Sequence, residues 1–512
     1  MFVRPLVPVS LAALALGLAM PSAHAQQILQ NFTGSTISNS KGYIPPDTQG
    51  AAGLSSYVEM VNNRYAVYSS TGNALNGTPT ATQSSSLDAF WQNAGVTPIG
   101  AAFDPRIVYD PTAQRFYASA LDFGPKDAAK NNNSNDILLA VSKSSDPTGG
   151  WSGILIPGTT PTDHFFVDYD TLGYNGDGVY VAVNNFGSSA SADGPVSGGS
   201  SGDAPANPGE SILVVPKASL AAQTTNGTSF FYNNDYNSTG FTAHPVVDQD
   251  SVNGFSGTEY LLSAFNDTTN KLSSITGTAA MPTLNTSGGF VMVTARTDPP
   301  TASQPNGDNT IDAGDTRFDS SVVKVKGELW GVQDISVNGH AGLNLVRMNA
   351  ATGQVISETQ IADPAHDYYY GSVAVNGQGQ LVVGYTRSGS TEFASSYASV
   401  GTYTATSVTF ADPLLLKAGV GDYDIQYGAG TNRFGDYSET TVDPNDPSKF
   451  WTVQEWASGL NTTSGPDHGA WSTQITEIGL ASAPEPSSLA AIGIGVFALA
   501  GCIARKRRAQ SA

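Results

Sequence analysis

Eleven charged or histidine side chains recur at comparable places in short repeated segments of this 512-residue chain. Each stands before or at the start of a short run rich in β-branched residues, which is typical of a strand. Carboxylates, guanidinium groups and imidazoles can together bind polar ligands or move protons. If the runs are the innermost strands of a closed ring of sheets, we expect these side chains to meet at one mouth of a central channel. They are Asp47, Asp104, Arg106, Asp163, His164, His244, Arg317, Asp319, His366, Asp367 and Asp436.

Three interpretations of this set remain open. Any single member is explained by structure, because Asp at the start of a strand caps turns and Arg pairs with it between sheets. As a group, the residues predict a ligand site, and the lack of a convincing catalytic signature in the chain favours non-catalytic binding of a glycan or a protein. The alternative is an extracellular glycan hydrolase or lyase, which needs carboxylates placed across the scissile bond. Its candidate catalytic residues are Asp436, Glu439, Arg317 and Arg106.

Calcium is the cofactor that the sequence suggests, because hard oxygen ligands suit this ion. Asp308, Asp312 and Asp315 lie in one Gly- and Asn-containing loop, and Asp168 and Asp170 form a close pair. Their spacing differs from that of the helix-loop-helix calcium site, so polar capping of turns is the alternative. The histidines are scattered and form no zinc pattern.

The elements that must position these residues are short strands. Apolar and β-branched runs bounded by Gly, Asn, Asp or Ser recur along the chain, and helical spacing of apolar residues is nearly absent. Seven segments share a polar start, a β-branched run, an Asp-rich turn and an aromatic-led strand. We therefore predict an all-β fold, a seven-bladed β-propeller, over residues 26–480. The repeated segments are 46–68, 104–120, 163–182, 244–264, 317–332, 367–385 and 435–453.

Composition narrows the classes of partner. The chain has a formal net charge of −20, which disfavours nucleic acid and favours Ca²⁺ or cationic partners. Its single cysteine, Cys502, lies near the C-terminus, so the body has neither a disulfide nor a thiol nucleophile.

Residues 187–210 are almost all Gly, Ser, Ala, Asp and Pro and predict a flexible loop. The one Gly-x-Ser-x-Gly pattern, centred on Ser200, falls in this loop and lacks the strand and helix that a nucleophile elbow needs.

Both ends of the chain predict export. Arg4, an apolar stretch and a small-x-small pattern ending at Ala25 indicate a signal peptide over residues 1–25. Near the other end, Pro484-Glu485-Pro486 precedes an apolar run, and an Arg-rich cluster follows it to residue 508. This cluster would hold the C-terminus on the cytoplasmic side of a membrane.

The C-terminal arrangement resembles the PEP-CTERM sorting signal of Gram-negative bacteria over residues 484–508. The resemblance implies exosortase-type machinery as a partner, and attachment to the inner membrane through the C-terminal helix before processing. It also implies placement at the cell surface or in the extracellular matrix. A permanent membrane anchor is the alternative.

Short motifs in the body are similar to those of a family of secreted bacterial propeller proteins. They read PPDTQGAAG, FDPRIVYDPTAQRFY, DAGDTRFDSSVVKVKGELW and FGDYSETTVDPNDPSKFW. The resemblance supports the fold and implies no reaction. The sequence thus predicts an exported surface or matrix protein that binds a polysaccharide or a surface protein.

Overall fold

The structure is a computed structural model that describes most of the body. The described residues are 26–71, 79–123, 126–127, 132–133, 135–158, 166–186, 209–232, 236–305, 310–427, 431–459 and 469–480. The predicted signal peptide, most of the predicted loop 187–210 and the sorting segment 484–508 lie outside them. Contacts group Gln27–Gly479 into one compact unit. Among the described residues, no helix is both long and apolar enough to cross a membrane.

Strands make up nearly all of the regular structure. Helices are short: α1 (Leu87–Asn93), α2 (Lys217–Ala221), α3 (Tyr236–Thr239) and a 3₁₀ turn at Pro147–Gly149. The strands of the first half are β1 (Gln26–Thr36), β2 (Gln49–Ala52), β3 (Ser56–Val61), β4 (Arg64–Ser69), β5 (Gln83–Ser85), β6 (Ala102–Asp110), β7 (Arg115–Asp122), β8 (Lys126–Asp127), β9 (Asn132–Asn133), β10 (Asp136–Ser142), β11 (Trp151–Pro157), β12 (Phe166–Tyr174), β13 (Gly178–Phe186), β14 (Glu210–Pro216), β15 (Ser229–Phe231), β16 (Phe241–Pro245) and β17 (Val247–Asp248). Those of the second half are β18 (Glu259–Asn266), β19 (Thr269–Thr278), β20 (Met281–Asn285), β21 (Phe290–Met292), β22 (Val323–Val325), β23 (Glu328–Val337), β24 (His340–Asn349), β25 (Val355–Ile361), β26 (Asp367–Val375), β27 (Gln380–Gly389), β28 (Glu392–Tyr403), β29 (Val408–Phe410), β30 (Leu414–Lys417), β31 (Gln426–Tyr427), β32 (Thr431–Asn432), β33 (Glu439–Val442), β34 (Lys449–Ala457) and β35 (Trp471–Leu480).

The sheets have the arrangement of a β-propeller, which confirms the predicted all-β class. Five sheets have four or five strands, and their neighbouring strands follow the order of the chain, except that β1 forms the edge of the last sheet. Their orders are β2-β3-β4-β5, β6-β7-β10-β11, β16-β18-β19-β20 with β21 also on β19, β26-β27-β28-β29 with β30 also on β28, and β33-β34-β35-β1. Two hairpins, β8-β9 and β31-β32, form two-stranded sheets.

The predicted count of seven blades is not supported by this division into sheets. The remaining large sheet has nine strands in the order β15-β14-β13-β12-β17-β22-β23-β24-β25. Strand β17 causes this continuity, because Val247 pairs in parallel with Tyr174 of β12 and with Val323 of β22. The sequence pattern did not indicate this two-residue bridge, since a run that short carries no periodicity.

Buried apolar side chains lie between neighbouring sheets. Trp451 of β34 is fully buried and stacks on Tyr57 of β3, with ring centroids 5.2 Å apart. Trp330 of β23 is equally buried and lies 4.9 Å from the ring of Tyr403, at the end of β28. Such aromatic contacts add about 0.5–1.5 kcal/mol each beyond the burial of their area. The inner faces of the sheets therefore pack on one another without a disulfide.

The last sheet is closed by the first strand. Strand β1 lies at its edge beside β35, and the backbone N–H of Ile37 donates to the carbonyl of Trp471 at 3.1 Å. Buried Glu59 of β3 accepts hydrogen bonds from Ser35 and from Thr473 of β35. The N-terminal strand thus joins the first and last sheets of the body.

Removing Gln26–Thr36 should destabilise the whole body, because β35 would lose its edge partner and Glu59 would keep fewer hydrogen bonds. We expect Tm to fall by about 10 °C or more. Thermal unfolding followed by circular dichroism would measure it. Met281→Ser, at a side chain that is 80% exposed, is the control. An unchanged Tm after the deletion would contradict this account of closure.

Candidate functional site

Bulges open the starts of the inner strands. Register shifts interrupt β6 between Phe103 and Arg106, β12 between Asp168 and Thr171, β16 between Phe241 and His244, and β26 between Tyr369 and Ser372. One residue inside each shift has a positive φ, at 50–57°. A bulge bends a strand and redirects its side chains. The positive-φ residues are Asp104, Tyr169, Thr242 and Tyr370, and Asp47 has the same conformation just before β2.

Polar side chains of the preceding sheet hold three of these bulges. The backbone N–H of Asp104 donates to Asn62 at 2.9 Å, that of Thr242 to Asn184 at 2.9 Å, and that of Tyr370 to Asp334 at 2.6 Å. Asn62 lies just after β3, Asn184 in β13 and Asp334 in β23. A buried N–H without a partner would be costly. The same contacts therefore satisfy the bulges and fix neighbouring sheets to each other.

Arg106 lies among the buried residues at the mouth of the channel. Its guanidinium donates to the backbone carbonyls of Asp170 at 2.8 Å and Asp319 at 3.0 Å. The group lies 3.3 Å from the ring centroid of Tyr437 and 5.1 Å from that of Tyr169. Contacts to rings and carbonyls hold this buried cation in one orientation. We call the buried residues Asp47, Asp104, Arg106, Asp170 and Asp319 the floor.

Above the floor lies a rim of partly exposed, paired charges. Arg317 donates to Asp315 at 2.8 Å and lies 4.4 Å from the ring centroid of Tyr169. Arg433 pairs with Asp436 and lies 3.7 Å from Asp312. The side chains of these five rim residues, Asp312, Asp315, Arg317, Arg433 and Asp436, are 19–39% exposed.

Tyr169 joins the rim to the floor. Its hydroxyl donates to the backbone carbonyl of Asp436 at 3.3 Å and lies 3.5 Å from the Asp319 carboxylate. Its ring packs edge to face against Tyr437 at 5.8 Å. The Tyr169 ring thus contacts both Arg106 and Arg317, and these cation–π contacts offset part of the repulsion between the two cations.

Burial raises the pKa of the carboxyl groups at the mouth. Burial, and then the charge of Asp436, raise the pKa of Asp47 to about 8. Burial outweighs the nearby Arg106 and raises the pKa of Asp170 to about 7. The pKa of half-buried Asp168 rises to about 6 by burial, although its N–H contact from Tyr169 lowers it. Burial and then Asp47 also raise the pKa of Asp104.

His244 is held in its neutral form. Burial, and then the positive charge of Arg106, lower its pKa to about 3. The imidazole therefore carries no charge at neutral pH, and it serves the mouth as a buried polar group. It is not suited to transfer protons near pH 7.

The mouth unites most of the residues that the sequence predicted. Bonds or mutual charge effects on pKa link Asp47, Asp104, Arg106, His244, Arg317, Asp319 and Asp436. Glu439 belongs beside them, since Ser321 donates to it at 2.8 Å and Arg106 lowers its pKa against the effect of burial. Asp163 and His164 lie outside the described residues.

His366 and Asp367 contact a different set of residues. His366 bonds to Asp363 at 2.8 Å, and Asp367 bonds to His340 at 3.1 Å. Both contacts lie near the turn between β23 and β24. None of the contacts seen for these two side chains reaches the floor, so they form a separate cluster on the next sheet.

Metal binding at Asp308, Asp312 and Asp315 stays a prediction. Asp308 lies outside the described residues, and the carboxylates of Asp312 and Asp315 face Arg433 and Arg317. In the described part of the chain, no group of three His, Cys, Asp or Glu side chains could hold a metal ion. The arginines already supply the positive charge that calcium would bring.

The sequence pattern did not indicate Tyr169 and Tyr437 at the mouth, although the run Tyr368-Tyr369-Tyr370 stands out in it. Tyr169, Tyr370 and Tyr437 are all buried there. Aligning Tyr169-Asp170-Thr171 with Asp104-Pro105-Arg106 would have found Tyr169, because both triplets start at the bulge. The pattern of charged residues at the starts of the strands does not include Tyr169, because it is aromatic.

Fold and mouth together define the class: an all-β propeller with a polar, arginine-containing channel mouth. Residues 482–508 match the model of the PEP-CTERM protein-sorting motif, so the chain carries this export signal. No curated protein matches the chain.

Solved propeller structures resemble the body at low identity. A protein of unknown function from Dyadobacter fermentans is 11% identical, covers 73% of this chain and 94% of its own, and has a TM-score of 0.38. A sialidase from Streptococcus pneumoniae is 9% identical, with 83% and 82% covered and a TM-score of 0.37. An α-L-arabinofuranosidase from Fusarium graminearum is 8% identical, with 87% and 97% covered and a TM-score of 0.37. At this distance the likeness assigns no activity.

Stability should fall as the pH rises from about 5 to 8.5. The folded pKa of Asp47, Asp170 and Glu210 lies near 7–8, above the value of the unfolded chain. Folding therefore favours the neutral forms. Their contribution is complete below about pH 4 and is lost as the pH passes through the folded pKa, at a total cost on the order of a few kcal/mol.

Urea denaturation at several pH values would test this prediction. Asp47→Asn, which mimics the neutral form, should reduce the slope of the free energy of unfolding against pH. Asp412→Asn, at an exposed bend, is the control. A free energy of unfolding that rises with pH over this range would contradict the prediction.

Proposed function

We propose that this protein is exported to the cell surface or extracellular matrix, where its propeller mouth binds a glycan without cleaving it. The observation that carries the proposal is the rim, where carboxylate and guanidinium groups alternate in partly exposed pairs. Sugar hydroxyls both donate and accept hydrogen bonds, so a surface with both kinds of partner suits them. Binding of a surface protein is the alternative ligand class.

The rim is preorganised for binding. Arg317 is held by Asp315 and by the ring of Tyr169, and Arg433 is held by Asp436. Fixed side chains lose less conformational freedom when a ligand binds. Their outer edges remain exposed, so a hydroxyl group can approach them. Arginine retains its charge at every relevant pH, which keeps these pairs intact.

Export rests on the two ends of the chain. The PEP-CTERM motif at residues 482–508 supports processing by exosortase-type machinery. We further propose that residues 1–25 are a removed signal peptide and that the C-terminal helix anchors the protein in the inner membrane before cleavage. Placement at the surface or in the matrix would follow from that cleavage.

We also propose that each half of the nine-stranded sheet serves as a blade. β12-β13-β14-β15 and β22-β23-β24-β25 have the same four-strand order as the separate sheets, and only β17 connects them. Together with the five separate sheets, this assignment would give the seven repeats of the sequence one blade each.

A glycan hydrolase is the second candidate, and Asp168 favours it. A general acid needs a raised pKa, and that of this half-buried carboxyl is about 6. Arg317 and Arg433 both lower that pKa, so both lie near Asp168. Asp436, which pairs with Arg433 and whose charge raises the pKa of Asp168, would be the second carboxylate of such a reaction.

Arg317→Ala should weaken glycan binding. The variant removes a guanidinium that supplies charge-assisted hydrogen bonds, so we expect an affinity loss of about tenfold to a hundredfold. Calorimetry with neutral glucans, polyuronates and chitosan oligomers would measure it on the purified full-length protein.

Arg115→Ala is the matched control for this variant. Arg115 begins β7 just after the turn that follows β6, at the end of the hairpin opposite Arg106, and donates to the carbonyl of Gln114 at 2.9 Å. Its loss should leave binding unchanged. Equal binding by Arg317→Ala and the wild-type protein would exclude the rim as the glycan site.

Incubation with the same polysaccharides should yield neither new reducing ends nor unsaturated sugars. Their appearance would overturn the non-catalytic proposal. If cleavage occurs, Asp168→Asn should abolish it, because an amide cannot donate the required proton. Cleavage that survives in Asp168→Asn would exclude Asp168 as the general acid, although the protein would still be a hydrolase.

A further inference from the structure

A side groove lies on the face of the propeller that carries the mouth. Inner strand β22 follows Asp319 of the floor, and β23 returns toward the mouth, ending at Val337. Phe318, the neighbour of floor residue Asp319, pairs with Gln333 of β23 in an isolated β-bridge. Val337 follows Gln333 by four residues, so it lies beyond the floor on the side of the mouth. The turn after β23 and the segment after β25 enclose a cavity of about 430 Å³. It is lined by Val337, Asn338, Gln360, Ala362, Asp363 and Pro364.

The volume and lining of this cavity suit a small polar ligand. Ligand sites commonly measure about 300–1,000 Å³ and combine apolar walls with a few polar groups. Three apolar residues of the lining stand beside two amides and one carboxylate. Within the part of the chain that the structure describes, the Asn338 and Gln360 side chains make no hydrogen bond, so their donors and acceptors are free for a ligand.

Asp363 is fixed as an anion. Its partial burial would raise the pKa, but hydrogen bonds from Tyr368, Ala365 and His366 outweigh that effect and lower the pKa to about 2. The Tyr368 hydroxyl donates at 2.7 Å and the Ala365 N–H at 2.8 Å. The carboxylate therefore keeps one position and one charge at every physiological pH.

The surroundings of the groove exclude an anionic ligand. Glu392 lies 3.5 Å from the far nitrogen of His366 and pairs with Arg387 at 2.8 Å. Asp367 faces His340. Arg387 is the one permanent cation among these contacts, and it is already paired with Glu392. A carboxylate or sulfate group would meet net negative charge at the Asp363 wall, whereas an uncharged hydroxyl would meet both donors and acceptors.

We propose that the side groove is a second sugar-binding subsite, which takes one uncharged sugar unit of the glycan bound at the mouth. Asn338 and Gln360 would bind its hydroxyls, and Val337 and Pro364 would contact its apolar face, while the Asp363 carboxylate is already filled by its own four donors and only sets the charge of the wall. This inference rests on the proposed glycan binding, and it adds that the recognised unit is neutral. One chain bound at two places gains affinity from both.

The test uses the full-length protein with two changes, Asn338→Gly and Gln360→Ala. Glycine fits Asn338, because this residue has a φ of 53° in its turn. The changes should weaken binding of long neutral glucans about tenfold and leave binding of disaccharides unchanged. Gln114→Gly is the matched control, since it removes an exposed amide at a φ of 53° on the opposite face.

Each outcome of calorimetry decides between the two sites. Weaker binding of long glucans by both Arg317→Ala and the groove variant, with unchanged binding by Gln114→Gly, supports the subsite. If Arg317→Ala weakens binding and the groove variant does not, the subsite is wrong and the proposed function stands. If the groove variant weakens binding and Arg317→Ala does not, the groove is a glycan site but the mouth is not. Stronger binding of polyuronates or of chitosan oligomers than of neutral glucans would overturn the assignment of a neutral unit.

Discussion

Hydrogen bonds between neighbouring sheets at the bulges are the interaction on which the structure depends. A bulge removes a backbone N–H from the ladder of its own sheet, and at the centre of a propeller that group has no access to water. Asn62, Asn184 and Asp334 supply the missing acceptors from the sheet before. The bulge that opens the mouth is thus also the point that ties two sheets together. Site and scaffold cannot be altered independently there.

This constraint explains why the floor is so acidic and yet so deeply buried. Short carboxylate and amide side chains reach a neighbouring N–H, and several of them converge where the inner strands are closest. Converging carboxyl groups repel one another when ionised, and burial increases the cost. As a result, the pKa of Asp47 is raised to about 8 and that of Asp334 to about 7. Buried Arg106 offsets part of it, since it is a fixed cation among them.

The floor and the rim of the mouth therefore have different roles. Floor residues are buried and bond to other strands, so they hold the sheets together, although one polar atom in each of Asp47, Arg106, Asp170 and Asp319 has no hydrogen-bond partner among the described residues. Rim residues have partners beside them and water in front of them. Because a ligand can reach only the second group, recognition belongs to Arg317, Arg433 and their carboxylate partners. The sequence pattern placed both layers in one set, since residues of both kinds stand at the starts of strands.

The repeated pattern was sufficient to predict the all-β class and the convergence of distant residues such as Arg106 and Arg317. It worked because a period of two and a recurring Asp-rich turn are local properties of the chain. Other features depend on contacts between segments far apart in the sequence. The bridge of β17 to two sheets is one example, and the separate cluster of His366 and Asp367 is another. His366 follows the repeat as well as Arg106 does, but Asp363, three residues earlier, holds its ring away from the channel. Such a short-range partner decides whether a polar side chain points toward the central channel or toward its own sheet. Here the contact with Asp363 holds His366 in a second polar cluster beside the side groove.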